Sequence, residues 1–280
     1  MKTLKNSLIL FLLLAMLAPV FTVKGSAQQT IILQPADKNI TAAVLEQSAA
    51  ILAKRLDSFA DGKSEVSVVP GKMQIKVILS GTTDIQTVEK LLTRNGKIEF
   101  YETLSRGEVA ELMKGDNHLF SMLSRVSTDM SDAKLGYAPM KDKLEINTFL
   151  RSSATARSCR FAWSYDADGS DYCLYALKLT GGKGPVITGS DIAASSYTND
   201  RISITVKPEA APVFAAATRD NMNRVIAIVL DDAVVAAPRV RMEITSGHME
   251  ISGNFTRAEA GYLAALLNND RLPADLVIVR

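Results

Sequence analysis

The stretch at 223–280 constrains the fold more than any other part of the chain: NRVIAIVLDDAVVAAPRVRMEITSGHMEISGNFTRAEAGYLAALLNNDRLPADLVIVR. Its apolar residues at 225–230 and 233–237 read as two strands that turn back on each other across Asp231-Asp232, with Pro238 ending the second. After a further strand, Thr256-Arg257-Ala258-Glu259 is a capping box. The helix it opens buries Ala260, Leu263, Ala264 and Leu267 at helical spacing and stops at Asn268-Asn269. Leu272-Pro273 then leads into a closing strand at 276–279. No catalytic constellation falls inside the stretch. It reads as a packed unit that binds rather than one that reacts.

A similar element order opens the chain. A strand at 30–33 precedes a helix that starts at Thr41 and carries Ala42, Leu45, Ala49, Leu52 and Leu56 on one face. Strands at 65–69 and 73–79 meet through Pro70-Gly71. Asp84 caps a helix with Val88, Leu91 and Leu92, Asn95-Gly96 ends it, and 97–102 returns as a strand. The expected fold class is therefore α+β: two ferredoxin-like β-α-β-β-α-β units joined by an irregular connection with a β-hairpin. The expected units are 28–104 and 186–280, with 105–185 between them. In the second unit 201–206 is its first strand, and Pro208 stands in the first turn of a helix carrying Ala211, Phe214 and Ala215. Within the connection, Ser105-Arg106-Gly107-Glu108 is a second capping box, and a short helix is expected at 119–123. The polar run 124–158 has weak periodicity and reads as a surface excursion.

Residues 1–27 read as a signal peptide. Lys2 and Lys5 precede an apolar run at 8–23, and Gly25-Ser26-Ala27 suits cleavage between Ala27 and Gln28. The alternative is a retained membrane anchor at 8–23, although the run contains Pro19 and is shorter than the roughly 20 residues of a spanning helix. Of 32 basic residues, Lys2, Lys5 and Lys24 lie in this leader, leaving 29 against 30 acidic residues. A near-neutral chain has no general attraction for nucleic acid or anionic lipid. Membrane contact is expected only through the N-terminus, if it is uncleaved.

Export gives meaning to the two cysteines. Cys159 and Cys173 flank a hairpin in which Phe161, Trp163 and Tyr165 alternate on one arm and Tyr172, Leu174 and Ala176 on the other. A disulfide across it is expected in an oxidising compartment; two separate buried thiols are the alternative. Other candidate chemistry is sparse. His118 and His248 have no second ligand at metal spacing, and Lys183 lacks a phosphate-loop pattern. Asp166, Asp168 and Asp171 around a glycine turn are a weak calcium candidate, but the run is too short for the usual loop and lacks a distal bidentate Glu. No cofactor and no catalytic residue is expected; the chain does not read as an enzyme.

The residues IAIVLDDAVVAAPRV followed by EITSGHMEISGNFTRAEAGYLAALLNNDRLPA resemble the first large periplasmic domain of SecD and of fused SecDF. The resemblance is carried by Ile228, Val229, Leu230, Asp231, Pro238, Ile251, Ser252, Gly253, Phe255, Leu272 and Pro273. ITGSDI at 187–192 is similar to the family's entry into its head subdomain, and GKIEFYETLSRGEVAELM at 96–113 to the segment closing its base. Two departures stand out: Asp232 where the family's hairpin usually has Gly, and Arg271 where it has a small residue. The sequence reaches Arg280 without the family's transmembrane bundle, so the expectation is a stand-alone exported copy in the periplasm. What the resemblance implies is binding of unfolded or emerging secretory polypeptide, by a head that swings relative to its base. The Sec translocon or a full-length SecDF is the further partner implied. The alternative is a structural or regulatory envelope module that kept the fold without the translocation role.

Overall fold

The computed structural model describes residues 28–59, 63–81, 84–153, 158–179, 184–252 and 255–279. Residues 1–27, where the signal peptide and Ala27 are expected, and Lys183 and Gly253 lie outside these residues; Gln28 is the first residue of β1 (Gln28–Pro35). The opening elements follow their local signals. Helix α1 (Ala42–Phe59) buries Leu45, Ala49, Leu52 and Leu56 as one stripe, and the Thr41 hydroxyl accepts from the Val44 amide at its start. Strands β2 (Lys63–Val68) and β3 (Ile75–Ser80) pair antiparallel, with Gly71 at φ 69° in the turn between them. Helix α2 (Ile85–Thr93) is capped by the Asp84 carboxylate, which accepts from the Gln86 and Thr87 amides. Strand β4 (Ile98–Leu104) follows.

The segment that reads as an irregular connection is instead built of regular elements. They are α3 (Arg106–Leu112), α4 (His118–Ser121), β5 (Arg125–Val126), β6 (Lys134–Pro139) and α5 (Lys143–Ser152). The hairpin of β7 (Cys159–Trp163) and β8 (Asp171–Lys178) completes it. Polar residues dominate 124–153, yet Leu135, Ala138, Ile146 and Leu150 are all buried, under one core with Trp163, Leu174 and Ala176. A few apolar positions suffice here because the sheet they cover is already formed by β8. The capping boxes at Ser105–Glu108 and Thr256–Glu259 are both formed.

The remaining elements are β9 (Ile187–Thr188), β10 (Ile192–Thr198), β11 (Arg201–Val206), α6 (Ala211–Asp220), β12 (Ile226–Leu230), β13 (Ala233–Ala236), β14 (His248–Ser252), α7 (Arg257–Leu267) and β15 (Leu276–Val279). Strand β10 carries only weak apolar alternation, IAASSYT, and escapes the sequence reading. Pro208 lies in a turn just ahead of α6 rather than inside it. Helix α7 is buried from Ala260 through Leu267 on every side, because it packs on α1 and α2 on one flank and on β10 and β11 on the other.

The strands form an antiparallel α+β fold, but not as two self-closed units. The closing strands are exchanged. Strand β4, expected to close the first unit, pairs with β12 in register Phe100↔Ile228. Strand β15, expected to close the second, pairs with β1 in register Val279↔Ile32. The first sheet is β15-β1-β3-β2, a second is β10-β11-β14, and the largest runs β13-β12-β4-β8-β6-β5 with β7 on β8 and β9 on β4. Burial explains the exchange. Both faces of β4 are covered, including Glu99 and Glu102. Besides the neighbouring Lys97 on Glu99, their charges meet Arg160 on β7, and Lys178 on β8 together with the Asn221 amide, in this arrangement.

The disulfide expected between Cys159 and Cys173 is not formed. Cys159 pairs in register with Lys178, five positions along β8 from Cys173, a separation of about 16 Å at about 3.3 Å per residue. The two thiols also point to opposite faces: Cys159 packs with Trp163 and Ala176, Cys173 with Tyr101, Tyr175 and Leu177. No rotamer spans that geometry. Burial pushes both thiols up to about 11 from an ordinary 9.0. Unfolded thiols release their protons first, so stability held below about pH 9 is lost as pH rises through about 11, by roughly 2–3 kcal/mol per thiol. Native protein at pH 8 should leave both thiols unreactive to Ellman's reagent, and added dithiothreitol should leave Tm unchanged. A Tm lowered by reductant would contradict this placement.

Candidate functional site

The β12–β13 hairpin turns on Asp231 and Asp232 with φ of 45° and 72°, the left-handed pair of a type I′ turn. Asp232 thus holds the left-handed conformation that glycine adopts at lower cost and that aspartate tolerates. The Asp231 carboxylate accepts from the amides of Gly96 (3.0 Å) and Lys97 (2.8 Å), fastening the turn to the corner between α2 and β4. Beyond it β13 runs to Pro238, the chain crosses 239–247, and β14 returns toward α7.

Between β13, β14, α7 and the outer face of α2 lies a cleft of about 370 Å³. Its walls are apolar: Val235, Ala236, Pro238, Ile251, Phe255 and Leu263. Thr87, Lys90, Asp166, Ser252 and Glu259 supply polar groups. Tyr165 and Tyr262 complete the lining. The Tyr165 amide donates to Val234 O (2.8 Å), its hydroxyl accepts from Arg94 Nη2 (3.3 Å), and Arg94 and Lys90 stand over its ring. Tyr262 is buried and its phenol is pushed well above the usual range, chiefly by that burial. Burial likewise raises the Asp166 carboxyl.

Among the described residues strand β14 is an edge, paired with β11 alone, and β13 meets only Ser164 and Tyr165 on its outer side, at Val234. The cleft therefore lies between strand edges that carry unpaired backbone groups.

The family residues divide. Pro238, Ile251, Ser252 and Phe255 line the cleft, and Pro238 and Ile251 with Ile228 also line a second cavity of about 280 Å³. Ile228, Val229 and Leu230 are core residues of β12, Asp231 is the turn, and Leu272 is buried with its amide donating to Asn95 O. Pro273 is exposed. Sequence reading missed Thr87, Lys90, Tyr165 and Tyr262 as site residues, because they come from three segments distant in the chain. The only local hint was Tyr165 continuing the aromatic alternation past the end of β7.

The calcium candidate does not assemble. Asp168 pairs with Arg125, Asp171 accepts from Ser124 and Ser170, and Asp166 lines the cleft. His118 stands edge-on to Phe149, and His248 Nδ1 shares a hydrogen bond with Thr205. Among the described residues no three His, Cys, Asp or Glu side chains are grouped to hold a metal. The arrangement can enclose an apolar side chain and offer backbone hydrogen bonds beside it.

An antiparallel α+β domain with a cleft between strand edges is thus defined. Residues 172–274 match the family model of the SecDF P1 head subdomain. SecD of Calditerrivibrio nitroreducens is 28% identical over 244 residues, covering 86% of this chain and 41% of that protein. SecDF of Thermus thermophilus is 36% identical over 99 residues, 34% of this chain and 14% of that protein. A solved structure of SecDF, described as a membrane component that enhances protein export, is 21% identical. It covers 90% of this chain and 98% of that one, with a TM-score of 0.50. That likeness is one of fold. The chain is similar to SecD over most of its length, and its residues 172–274 match the SecDF P1 head subdomain. It spans less than half the length of the SecD relatives from Calditerrivibrio nitroreducens, Petrotoga mobilis and Aquifex aeolicus, 41%, 46% and 38% respectively.

Proposed function

We propose that this protein binds unfolded secretory polypeptide outside the inner membrane during Sec-dependent export, without catalysing a reaction. The cleft at Ser252 is where an apolar side chain of that polypeptide lodges. One observation carries the reading: Pro238, Ile251, Ser252 and Phe255 of the family block gather around an apolar cleft beside open strand edges. An extended chain can add its backbone to such an edge while alternate side chains enter the cleft. Among the described residues no helix is long and apolar enough to cross a membrane. Translocon components, or a full-length SecDF, are the partners this reading implies.

A photo-crosslinker at Ser252 should capture an unfolded secretory polypeptide, in competition with unlabelled polypeptide. Ser252→Trp, which fills the cleft from an exposed position, should weaken binding by at least about tenfold, because a filled pocket forfeits about 1.4 kcal/mol or more, and leave Tm unchanged. Capture of Sec components alone, with no polypeptide, would favour the regulatory envelope module instead. Equal binding by the tryptophan variant would remove the cleft from the reading.

A further inference from the structure

A second groove runs along the opposite side of Tyr165, with about 1230 Å³ of open space. It shares only Tyr165 with the cleft above. Strand β7 is its floor, α5 one wall and the Asp231–Asp232 turn the other. Among the described residues β7 pairs with β8 alone; on its other side Phe161 meets no strand, and the edge closes again where the Tyr165 amide donates to Val234 O.

The charges in this groove are unbalanced in use. Both acids are engaged: Asp231 by the Gly96 and Lys97 amides, Asp232 by Arg160. Three cations are not. Arg94, Lys143 and Arg151 have no carboxylate within ion-pair distance among the described residues; Arg94 donates to Tyr165 and Arg151 to Thr148. The Lys143 ammonium sits 4.1 Å from the Tyr172 ring centre and 5.3 Å from that of Trp163. Burial lowers its pKa. Phe161, Trp163 and Tyr172 supply flat apolar surface beside these cations.

We infer that this groove binds an extended polypeptide segment carrying acidic residues on both sides of an apolar one, added along the open edge of β7. The open edge selects an extended backbone, and the unpaired cations select acidic side chains. The spacing is set by the wall. Lys143 and Arg151 are eight residues apart on α5, about 12 Å along a helix. Acidic residues four positions apart in an extended strand span about 13 Å and lie on one face. The apolar residue midway between them faces the rings. The inference is independent of the cleft at Ser252, and failure there leaves it standing.

Trp163 is the chain's single tryptophan, so its emission reports the groove directly. The probe is the acetylated, amidated peptide Thr-Glu-Thr-Leu-Thr-Glu-Thr, with a control in which Lys replaces both Glu. The acidic peptide should shift Trp163 emission saturably, the lysine peptide should not, and salt of about 0.5 M should suppress the effect. Lys143→Glu with Arg151→Glu should weaken the acidic peptide at least about tenfold and admit the lysine peptide. Should that pair fail to fold, Lys143→Gln with Arg151→Gln should still lower affinity about threefold or more. Equal binding of the two peptides, or acidic-peptide affinity unmoved by the charge changes, overturns the inference. So does an emission shift produced by phosphatidylglycerol vesicles and not by the peptide.

Discussion

Arg55→Leu is expected to lower stability by about 3–5 kcal/mol, the cost of leaving buried polar partners without their charge. Arg55 is fully buried on α1 and touches no carboxylate. Its Nη1 donates to the carbonyls of Leu91 (3.3 Å) and Arg94 (2.7 Å), and its Nη2 to those of Asn95 (2.8 Å) and Asp270 (3.0 Å). The first three lie at the C-terminal end of α2 and the fourth just beyond α7. Helix C-termini present carbonyls without intrahelical partners and a negative dipole end. One planar guanidinium thus closes two helices from a third. Burial lowers its pKa to about 10, with Asp231 the largest opposing influence, so it stays charged at neutral pH.

Leucine fills much of the volume but leaves the carbonyls of Leu91, Arg94 and Asp270 without the guanidinium, while Asn95 O keeps only the Leu272 amide. Lysine keeps the charge, yet its single ammonium has three donors and cannot reach both helix ends. Urea titrations should therefore order wild type above Arg55→Lys above Arg55→Leu, with the leucine midpoint moved most and m little changed. A leucine variant within about 1 kcal/mol of wild type would mean that other groups satisfy these carbonyls. A typical domain has only about 5–15 kcal/mol in total, so the variant should lose a large share of its stability. Gly96 belongs to the same clasp. A Cβ there would overlap Arg55 Nη2, and its φ of 87° already favours glycine.

Gly136→Val should destabilise by about 3 kcal/mol, at the upper end of overpacking costs, because the obstacle is backbone. A Cβ at 136 would stand 2.5 Å from the Arg125 carbonyl and 2.8 Å from Leu123 Cδ1. Gly136 pairs with Val126 on one side of β6 and with Leu174 on the other, so neither neighbour can withdraw without breaking the sheet. Thermal unfolding and amide exchange at β6 and β8 measure the effect. Were residues 124–153 a surface excursion, the valine would be tolerated within about 0.5 kcal/mol, as at ordinary surface positions.

That contrast marks what local pattern can carry. The reading of 124–158 as irregular failed because its strand and helix are half-buried against a sheet formed elsewhere, so four apolar side chains do the work of a full stripe. The cysteine geometry was legible and was passed over. Cys159 shares the parity of Phe161 and Trp163, whereas Cys173 opposes that of Tyr172 and Leu174, which already places the thiols on opposite faces. The cleft was half legible: Pro238, Ile251, Ser252 and Phe255 belonged to a recognisable block, while Lys90, Tyr165 and Tyr262 carried no mark of convergence.

The sequence by itself determined most of the helices and strands, their caps at Asp84, Ser105 and Thr256, the Asp231–Asp232 turn and the kinship of the last block. Each rests on side chains within a few residues of one another, where periodicity and capping chemistry act. Only the tertiary structure decided that β4 and β15 exchange sheets, that Arg55 closes α2 and α7, and that two grooves meet at Tyr165. Alternation reports which faces of a strand are buried, and every strand offers the same backbone donors and acceptors to any partner. The choice between partners is made by burial and charge far along the chain, as Glu99 and Glu102 reach Arg160 and Lys178.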